Sequence, residues 1–386
     1  MLLQGKKIAI VGGGPGGLTL ARLLQMKGLD VSVYERDLNR QVRVQGATLD
    51  LHYESGLKAL RQANLLDLFK EVYRPGADRI RVTDEHGIVY FDQHAQHYLT
   101  DFDDPWFRPE IDRGPLRELL LDSLEPGTVV WDSNFEGLYK HEDKWVLNFK
   151  NGSSAEADFV IAADGANSKI RPLITDQKPF YSGITVVEGN IYHADDNAPV
   201  LAKLLNGGKI FAFGDSKTII LSSKGDGSIS FYTGFSIEET KDLGIDVTDH
   251  LQMLQWFKKE YDHWDPVWYE LFVHPATIFT VRPLYCMPLN QIWTGRSDLT
   301  MLGDAAHLMP PYAGEGVNMA MLDALELSEV LTGGIFTETL SAIQYFENQM
   351  LERSAQIAEI TLDNTSWMHS PDGLKKILEL FAPDKS

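Results

Sequence analysis

The pattern of apolar and polar positions changes its period along the chain, and these changes mark the structural elements. Residues 8–11 are all apolar, as in a strand that is buried on both faces of a parallel sheet. Residues 18–24 continue as a helix, and residues 31–34 indicate a second strand. The order of strand, helix and strand predicts a βαβ unit at the start of the chain.

A different pattern begins near residue 180, where short runs rich in β-branched and aromatic residues follow one another. These runs predict strands at residues 184–191, 209–213, 218–221, 228–235 and 277–284. Earlier in the chain, residues 79–82 and 88–91 indicate two strands that are joined by turn residues. We expect this pair to form a hairpin outside the main sheet.

Towards the C-terminus the pattern returns to longer elements. It predicts a strand at 299–302 and helices at 317–331, 337–363 and 373–381. Taken together, the elements predict an α/β fold. Its parts are a Rossmann-like dinucleotide-binding domain, an inserted domain with a mainly antiparallel β-sheet, and a long C-terminal helix.

Glycines follow the first strand with the spacing G-x-G-x-x-G. Gly12 allows a tight turn, Gly14 lets the backbone approach a pyrophosphate, and Gly17 lets the helix pack closely on the strand. Pro15 lies at the start of this helix, whose free N–H groups and positive dipole end favour phosphates. Glu35 ends the second strand, about 20 residues later, where an acidic residue binds the ribose of an adenine dinucleotide. These residues predict dinucleotide binding and leave NAD and FAD open.

Composition and net charge limit the kinds of molecule that the protein can bind. The 386 residues carry a formal net charge of -20, so nucleic acid and anionic membrane surfaces are poor partners. The single cysteine, Cys286, excludes an internal disulfide and offers no cysteine cluster for a metal. No stretch approaches about 18 uninterrupted apolar residues, and the first strand begins too early for a signal peptide. We expect a cytoplasmic protein that does not bind a membrane.

Two distant segments join the glycine motif in a constellation that resembles one family. They are residues 160–171 (VIAADGANSKIR) and residues 302–318 (LGDAAHLMPPYAGEGVN). The set resembles the class A flavin monooxygenases related to para-hydroxybenzoate hydroxylase, and it is most similar to the TetX-type tetracycline-inactivating monooxygenases. Local matches to that type are residues 34–37, residues 48–52 and Arg113 with Arg117. The resemblance implies that the dinucleotide is FAD.

The resemblance also implies roles for individual residues. Asp304 would bind a ribityl hydroxyl of FAD, and Arg43 would contact NADPH; for Arg43 a position without cofactor contact is an equal alternative. Arg113 would contact FAD, the alternative being a surface ion pair with Asp112 or Glu110. The other residues expected at the cofactor are Arg36, Asp50, Asp164, Gly303, Pro311, Gly314, Gly316, Val317 and Asn318. We assign no catalytic residue and no metal ligand, and His307 receives no role in proton transfer.

The expected substrate residues depart from the TetX pattern. Glu188 and Lys209 stand where that pattern has a glutamine and an arginine that hold tetracycline, and Tyr232 stands on a neighbouring strand. Lysine cannot reproduce the planar fork of arginine, and glutamate cannot donate as glutamine does. Phe211 is also expected at the substrate. The resemblance implies a planar phenolic or polycyclic, tetracycline-like substrate, and whether it is a tetracycline stays open.

The resemblance implies a reaction in which NADPH reduces FAD and O2 adds to give a flavin C4a-hydroperoxide, which hydroxylates the substrate. NADPH would bind only transiently, and we expect a monomer. Two alternatives stay open. One is an FAD-dependent dehydrogenase or reductase of the same fold, and the other is a flavoprotein that only sequesters a planar ligand.

We expect the chain to pass several times between two domains and to end in a helical segment. The expected FAD-binding parts are residues 1–73, 104–175 and 291–335. The expected substrate-domain parts are residues 74–103 and 176–290, and the C-terminal helical segment is 336–386.

Overall fold

The computed structural model describes residues 1–42, 47–95, 100–239 and 243–382. In chain order, the strands in these ranges are β1 (Lys7–Val11), β2 (Asp30–Tyr34), β3 (Leu49–Asp50), β4 (Ile80–Asp84), β5 (Val89–Asp92), β6 (Glu110–Ile111), β7 (Val129–Val130), β8 (Phe135–His141), β9 (Lys144–Phe149), β10 (Ser154–Ala157), β11 (Phe159–Ala162), β12 (Phe180–Ile191), β13 (Lys209–Gly214), β14 (Lys217–Ser223), β15 (Ile229–Ser236), β16 (Ile278–Cys286) and β17 (Leu299–Met301).

The helices in the same ranges are α1 (Pro15–Gln25), α2 (Gly56–Gln62), α3 (Leu66–Val72), α4 (Arg113–Asp122), α5 (Ala194–Asn197), α6 (Pro199–Leu205), α7 (His250–Glu260), α8 (Glu270–Val273), α9 (Asp304–His307), α10 (Gly316–Thr332), α11 (Thr339–Met368) and α12 (Gly373–Phe381). Short 3-10 segments lie at Gln93–Ala95, Arg171–Leu173 and Pro266–Tyr269. Among these described helices, none has both the length and the apolar composition needed to cross a bilayer.

The N-terminal apolar run lies in the middle of a five-stranded parallel sheet. The strand order is β17-β11-β1-β2-β7, so the chain returns to this sheet from distant segments. Ile8 and Ile10 on β1 are almost completely buried, as expected for a strand covered on both faces. Helices α1 and α10 pack against each other and share one hydrophobic core with the sheet. The predicted Rossmann-like fold is confirmed.

A second sheet has seven strands in the order β16-β12-β15-β14-β13-β4-β5. All neighbours in it are antiparallel except β13 and β4, which run parallel. The predicted mainly antiparallel sheet is therefore confirmed. The predicted hairpin is also present, as β4 and β5, and it forms one edge of this sheet.

One face of the seven-stranded sheet packs on a hydrophobic core, and the other face points away from that core. Phe231 belongs to the packed core beneath helices α7 and α8. Because successive side chains on a strand point to opposite faces, the neighbouring Tyr232 points away from this core. The cross-strand register aligns Glu188, Tyr232, Ile220 and Phe211 in one line on that opposite face. We call the face that carries this line the inner face.

A small two-stranded sheet, β3 with β6, places two acidic residues opposite each other. Its register pairs Leu49 with Ile111 and Asp50 with Glu110. Directly opposed like charges destabilise a strand pair unless a cation lies between them. This pair therefore requires a neighbouring positive side chain.

The long C-terminal helix extends beyond the predicted end at residue 363. Helix α11 ends at Met368, because tertiary contacts compensate for the weak helix formers in its last turns. The Asn364 side chain donates to the Tyr312 carbonyl oxygen at 3.0 Å, and Trp367 and Met368 are buried. Pro371 follows shortly after the helix, as is common beyond a C-terminus.

Candidate active site

The glycine loop between β1 and α1 is shaped by close backbone contacts. Gly12 has a φ of 112°, and a Cβ atom there would lie 2.2 Å from the Ala163 carbonyl oxygen. A Cβ atom at Gly17 would lie 2.2 Å from the Gly12 carbonyl oxygen. At Gly14, by contrast, a Cβ atom would meet nothing within 4 Å. Helix α1 begins here at Pro15 without a side-chain cap, so its first N–H groups face this open space.

Glu35 holds the glycine loop in place from the end of β2. Its carboxylate is buried, and Oε2 accepts a hydrogen bond from the Gly13 amide at 2.6 Å. The other oxygen, Oε1, accepts from the Asp37 amide at 3.1 Å. The neighbouring Arg36 is exposed. Arg43 lies outside the described residues.

The segment after β11 brings Asp164 next to the glycine loop. Its Oδ2 atom accepts a hydrogen bond from the Lys169 amide at 2.8 Å. Its Oδ1 atom is buried and has no partner within the described ranges. Burial raises the pKa of Asp164. Such an orphaned carboxylate oxygen fits a ligand that supplies a hydroxyl or amide donor.

The segment after β17 places a second acidic side chain on the same side of the parallel sheet. Gly303, with a φ of 60°, makes the turn into α9, and Asp304 is the first residue of that helix. Burial raises the pKa of Asp304. Arg171 ties this segment to the previous one, since Nη2 donates to the Asp304 carbonyl oxygen at 2.7 Å and to that of Ala166 at 3.1 Å.

The loop of residues 311–315 then passes close to β3. A Cβ atom at Gly314 would lie 3.2 Å from both carboxylate oxygens of Asp50, and one at Gly316 would lie 4.0 Å from Asp304 Oδ1. Asn318, which is completely buried, anchors the loop, because its Nδ2 atom donates to the Asp50 carbonyl oxygen at 2.9 Å. Its Nδ2 also donates to the Gly314 carbonyl oxygen at 3.1 Å. These hydrogen bonds from Asn318 fix the loop to β3.

Two further residues are expected at the cofactor, Pro311 at the start of this loop and Val317 just after it. Pro311 is exposed, and Val317 is half-buried against the core of the parallel sheet. Neither forms a polar contact that would fix a ligand by itself. Their expected role is to shape the surface on which a flat ring would lie.

Sequence reasoning missed His52, which lies between two carboxylates. Nε2 is 2.9 Å from Asp50 Oδ2, and Nδ1 is 3.0 Å from Glu315 Oε1. Burial acts against its charge, but the hydrogen bonds to Asp50 and Glu315 raise the pKa of His52 to about 9. The alternation of Asp50 and His52 in sequence could have indicated that both side chains share one side of an extended segment.

Lys209 supplies the cation that the pair of Asp50 and Glu110 requires. Its Nζ atom forms an ion pair with Glu110 Oε1, and Glu110 is almost completely buried. Although burial opposes the charge of Lys209, Glu110 and Asp50 outweigh it and raise the lysine pKa. Despite burial, Lys209 and His52 hold the pKa of Asp50 well below its usual range. The expected substrate ligand Lys209 is therefore already paired.

The other expected substrate residues lie along the inner face. Glu188 forms an ion pair with Arg282. Burial raises the pKa of Tyr232, which also faces Glu188 and Arg113. Phe211 is half-buried against the end of α11. The structure brings these side chains into one line with Ile220, as an apolar strip with a carboxylate at one end.

Arg113, at the start of α4, does not form the surface ion pair that was the alternative to cofactor contact. Its Nε atom donates to the Ala47 carbonyl oxygen at 3.0 Å, and its side chain is exposed. Glu110 forms its ion pair with Lys209 instead, and Asp112 Oδ1 lies 3.6 Å from Arg74 Nη1. Arg113 faces Asp304 and Tyr232, which places it between the parallel sheet and the inner face.

His307 is engaged in the core. Its Nε2 atom lies 2.6 Å from Asp323 Oδ2, and Arg353 lies 2.7 Å from the other oxygen of Asp323. Asp323 also accepts a hydrogen bond from the Gly303 amide at 2.9 Å. These buried contacts give His307 a structural role and position the turn before Asp304.

A second missed residue, His369, closes one end of the inner face. Its Nδ1 atom donates to the Thr365 carbonyl oxygen at 2.8 Å, so Nε2 is an acceptor. Nε2 lies 3.2 Å from Thr218 Oγ1 and 3.3 Å from the Tyr312 hydroxyl. Burial lowers the pKa of His369 to about 4. The loop of residues 311–315 thus reaches the inner face through Tyr312, although no motif indicated this contact.

These features fit FAD. An open space at Gly14 faces the uncapped start of α1, as a pyrophosphate requires. Asp164 offers a buried, unpartnered oxygen, and the Asp304 side chain has no hydrogen-bond partner in the parts of the chain that the structure describes. Gly314 and Gly316 leave room for close backbone approach beside them.

Comparison with known proteins agrees with this site. The model of the FAD binding domain family matches residues 6–188 and 238–339, which is more than half of the chain. Monooxygenase asqM of Emericella nidulans is 28% identical over 445 residues, covering 97% of this chain and 97% of that protein. The 3-amino-4-hydroxybenzoate 2-monooxygenase PtnB3 of Streptomyces platensis is 25% identical, covering 96% of this chain and 91% of that protein.

Solved structures share the fold. HpxO of Klebsiella pneumoniae, in complex with FAD and uric acid, superposes with a TM-score of 0.77 at 21% identity, covering 98% of this chain and 92% of that chain. The tetracycline destructase Tet(55) superposes with a TM-score of 0.76 at 17% identity, covering 98% and 96%. The chain therefore belongs to the FAD binding domain family, and it is an FAD-dependent monooxygenase.

Proposed function

We propose that this monooxygenase uses NADPH and O2 to hydroxylate a planar phenolic or polycyclic, tetracycline-like substrate. The observation that carries the proposal is the line of Tyr232, Ile220 and Phe211 on the inner face. This flat, mostly apolar strip lies beside the loop of residues 311–315, since Tyr312 reaches Thr218 through His369. A planar ring system would be held between the strip and the flavin.

We propose that FAD is held by residues from all three segments of the parallel-sheet region. They are Gly12, Gly14, Pro15, Gly17, Glu35, Arg36, Asp50, Arg113, Asp164, Gly303, Asp304, Pro311, Gly314, Gly316, Val317 and Asn318, with Arg43 as a contact for NADPH. The start of α10 at Gly316 would stabilise negative charge on the reduced flavin ring.

When bound, FAD supplies the activation of O2 with electrons from NADPH and the transfer of one oxygen atom. The overall reaction converts NADPH, a proton, O2 and substrate into NADP+, water and the hydroxylated product. The protein orients the substrate and excludes water from the ring. Among the proposed substrate residues, Tyr232 and Phe211 would hold the ring. Glu188 would act at one end of the strip, and Lys209 would act near the other end, beside Phe211 on β13.

We also propose that the protein acts as a monomer in the cytoplasm. The two sheets would serve as the FAD-binding and substrate domains, divided along the chain as the sequence indicates. Lys209 of the seven-stranded sheet forms an ion pair with Glu110, which lies opposite Asp50 in the two-stranded sheet. This contact between two sheets supports a fixed position of the two domains relative to each other.

The test is a screen of NADPH oxidation with phenolic and polycyclic compounds, including tetracyclines, with mass spectrometry of the products. We expect at least one compound to stimulate NADPH and O2 consumption and to gain the mass of one oxygen atom. Reduction of the flavin and conversion of substrate without O2 consumption would favour a dehydrogenase. Stoichiometric NADPH oxidation with no oxygenated product from any compound would contradict the proposal.

A further inference from the structure

The loop of residues 311–315 meets the inner face at a position where β15 carries no side chain. Gly234 lies two residues beyond Tyr232 on β15 and opposite Thr218 on β14, so it belongs to the same face. A Cβ atom there would lie 2.5 Å from His369 Nε2, 2.6 Å from Thr218 Oγ1 and 2.9 Å from the Tyr312 hydroxyl oxygen. Three polar atoms therefore occupy the space that a side chain at this position would fill.

The hydrogen bonds of this cluster depend on one ring nitrogen. Because His369 Nδ1 donates to the Thr365 carbonyl oxygen, Nε2 carries one lone pair and accepts. The Thr218 hydroxyl lies 3.2 Å and the Tyr312 hydroxyl 3.3 Å from Nε2, and the two hydroxyls also face each other. One hydroxyl can donate to the other and the second to Nε2, which satisfies both protons. Without Nε2, one of the two hydroxyl protons would lose its acceptor.

Burial keeps this acceptor available. His369 and Thr218 are both buried, and burial lowers the pKa of His369 to about 4. At neutral pH the imidazole is therefore uncharged, with its proton on Nδ1 and its lone pair directed at the two hydroxyls.

Tyr312 connects the two regions that the proposed function brings together. It packs against the hydrophobic cluster at the end of α11 and α12, against which Phe211 and Ile220 of the strip also pack. Its carbonyl oxygen accepts a hydrogen bond from Asn364 on α11, while Asn318 bonds the same loop to β3. The loop is therefore fixed to β3 on one side and to the inner face on the other.

We infer that His369 is a positioning residue for the reaction: it accepts a hydrogen bond from Tyr312, fixes the loop of residues 311–315 against the strip, and uses the space that Gly234 leaves. The inference rests on the proposed function, which places the flavin ring beside this loop. A displaced loop would change the distance between flavin and substrate. NADPH, a proton and O2 would then give NADP+ and hydrogen peroxide in place of hydroxylated product.

The experiment measures the ratio of hydroxylated product to hydrogen peroxide with a compound that passes the screen. A neutral hydrogen bond favours one conformation by roughly two- to tenfold. His369→Phe keeps a ring and removes the acceptor, so we expect this ratio to fall by roughly two- to tenfold. His369→Gln places an amide oxygen near the position of Nε2 and should restore most of the ratio. A wild-type ratio in His369→Phe overturns the inference.

Variants of the two hydroxyls distinguish positioning from general packing. Tyr312→Phe should lower the ratio as much as His369→Phe, and the double variant should show no further loss, as expected for two ends of one contact. Thr218→Val is the matched comparison, because it removes a buried hydroxyl of the same cluster and leaves Nε2 to Tyr312. Its ratio should stay close to that of the wild type. Additive losses in the double variant, or an equal loss in Thr218→Val, would overturn the inference.

A measurement without turnover covers the case in which no compound is hydroxylated. The visible absorption spectrum of the bound FAD and the quenching of its fluorescence by iodide report how closely the loop covers the flavin. Both should change in His369→Phe and Tyr312→Phe and match the wild type in Thr218→Val. If the screen fails and this pattern is found, the proposed function alone is contradicted. If the screen fails and the four proteins are identical, the inference falls as well. Should His369→Phe not fold, Tyr312→Phe, which removes a single oxygen atom, decides.

Discussion

Lys209 on the seven-stranded sheet forms an ion pair with Glu110 on the two-stranded sheet, where Glu110 is almost entirely buried and Lys209 is partly buried. It neutralises the direct opposition of Glu110 and Asp50 in the strand register. Lys209 therefore connects the two sheets within the candidate site. From the sequence, the same lysine was expected to bind the substrate.

Removing that lysine should be costly for stability. Lys209→Met removes the ion-pair partner of the buried Glu110 and leaves Asp50 with His52 alone, so we expect the free energy of unfolding to fall by about 3–5 kcal/mol. Urea denaturation of the FAD-free protein measures the change. The double variant Lys209→Met/Glu110→Gln should recover part of the loss, and an equal or greater loss in the double variant would contradict this account.

Asp304→Ala should lose FAD on purification. The side chain would bind a hydroxyl of the cofactor, so its removal should weaken FAD affinity by about tenfold or more. The ratio of flavin to protein absorbance and a titration of the FAD-free protein with FAD measure this effect. Asp195→Ala, at an exposed position on α5, is the control. Full flavin occupancy of Asp304→Ala would refute the proposed role.

Two glycines of the same loop should respond differently to alanine. Gly14→Ala adds a Cβ atom in open space, so stability should stay within about 0.5 kcal/mol while FAD affinity falls. Gly12→Ala puts a Cβ atom 2.2 Å from a carbonyl oxygen at a φ of 112°, so we expect a stability loss of about 3 kcal/mol or more. Thermal unfolding and FAD titration of both variants test the contrast. Unchanged FAD affinity in Gly14→Ala would exclude a pyrophosphate at this position.

His52 should make stability depend on pH. Its folded pKa of about 9 lies above the ordinary value of 6.5, so its contribution is complete below pH 6.5 and is lost as pH rises through about 9. The contribution should be about 3 kcal/mol in total. Unfolding free energies measured from pH 6 to pH 10 should fall in the wild type and vary less in His52→Gln. Parallel curves for the two proteins would show that His52 is not the group concerned.

The elements with strong local signals could be predicted from sequence. Strands can be recognised from neighbouring residues alone in the apolar run of β1 and in the alternation of β12 and β15. The glycine spacing likewise marks the turn after β1, and the order of these elements predicts the fold class. The end of α11 could not be predicted, because Asn364 is held in the helix by a bond to Tyr312 in a distant loop.

The candidate site was predictable only where a motif marks it. Asp164 and Asp304 each stand in a recognisable segment, but His52 and His369 owe their roles to partners from other parts of the chain. Glu315 and Tyr312 lie 263 and 57 residues away from them. The pairing of Lys209 with Glu110 likewise depends on how two sheets meet, which no local spacing encodes.

The bond from the His52 amide to Asn318 spans 266 residues. Contacts of such long sequence separation form late, because closing the intervening chain costs entropy that only the assembled structure repays. During synthesis, a growing chain that has not yet reached Asn318 lacks the residue that fixes β3 to the loop of residues 311–315. If FAD lies beside this loop as proposed, its site is complete only after synthesis has passed Asn318.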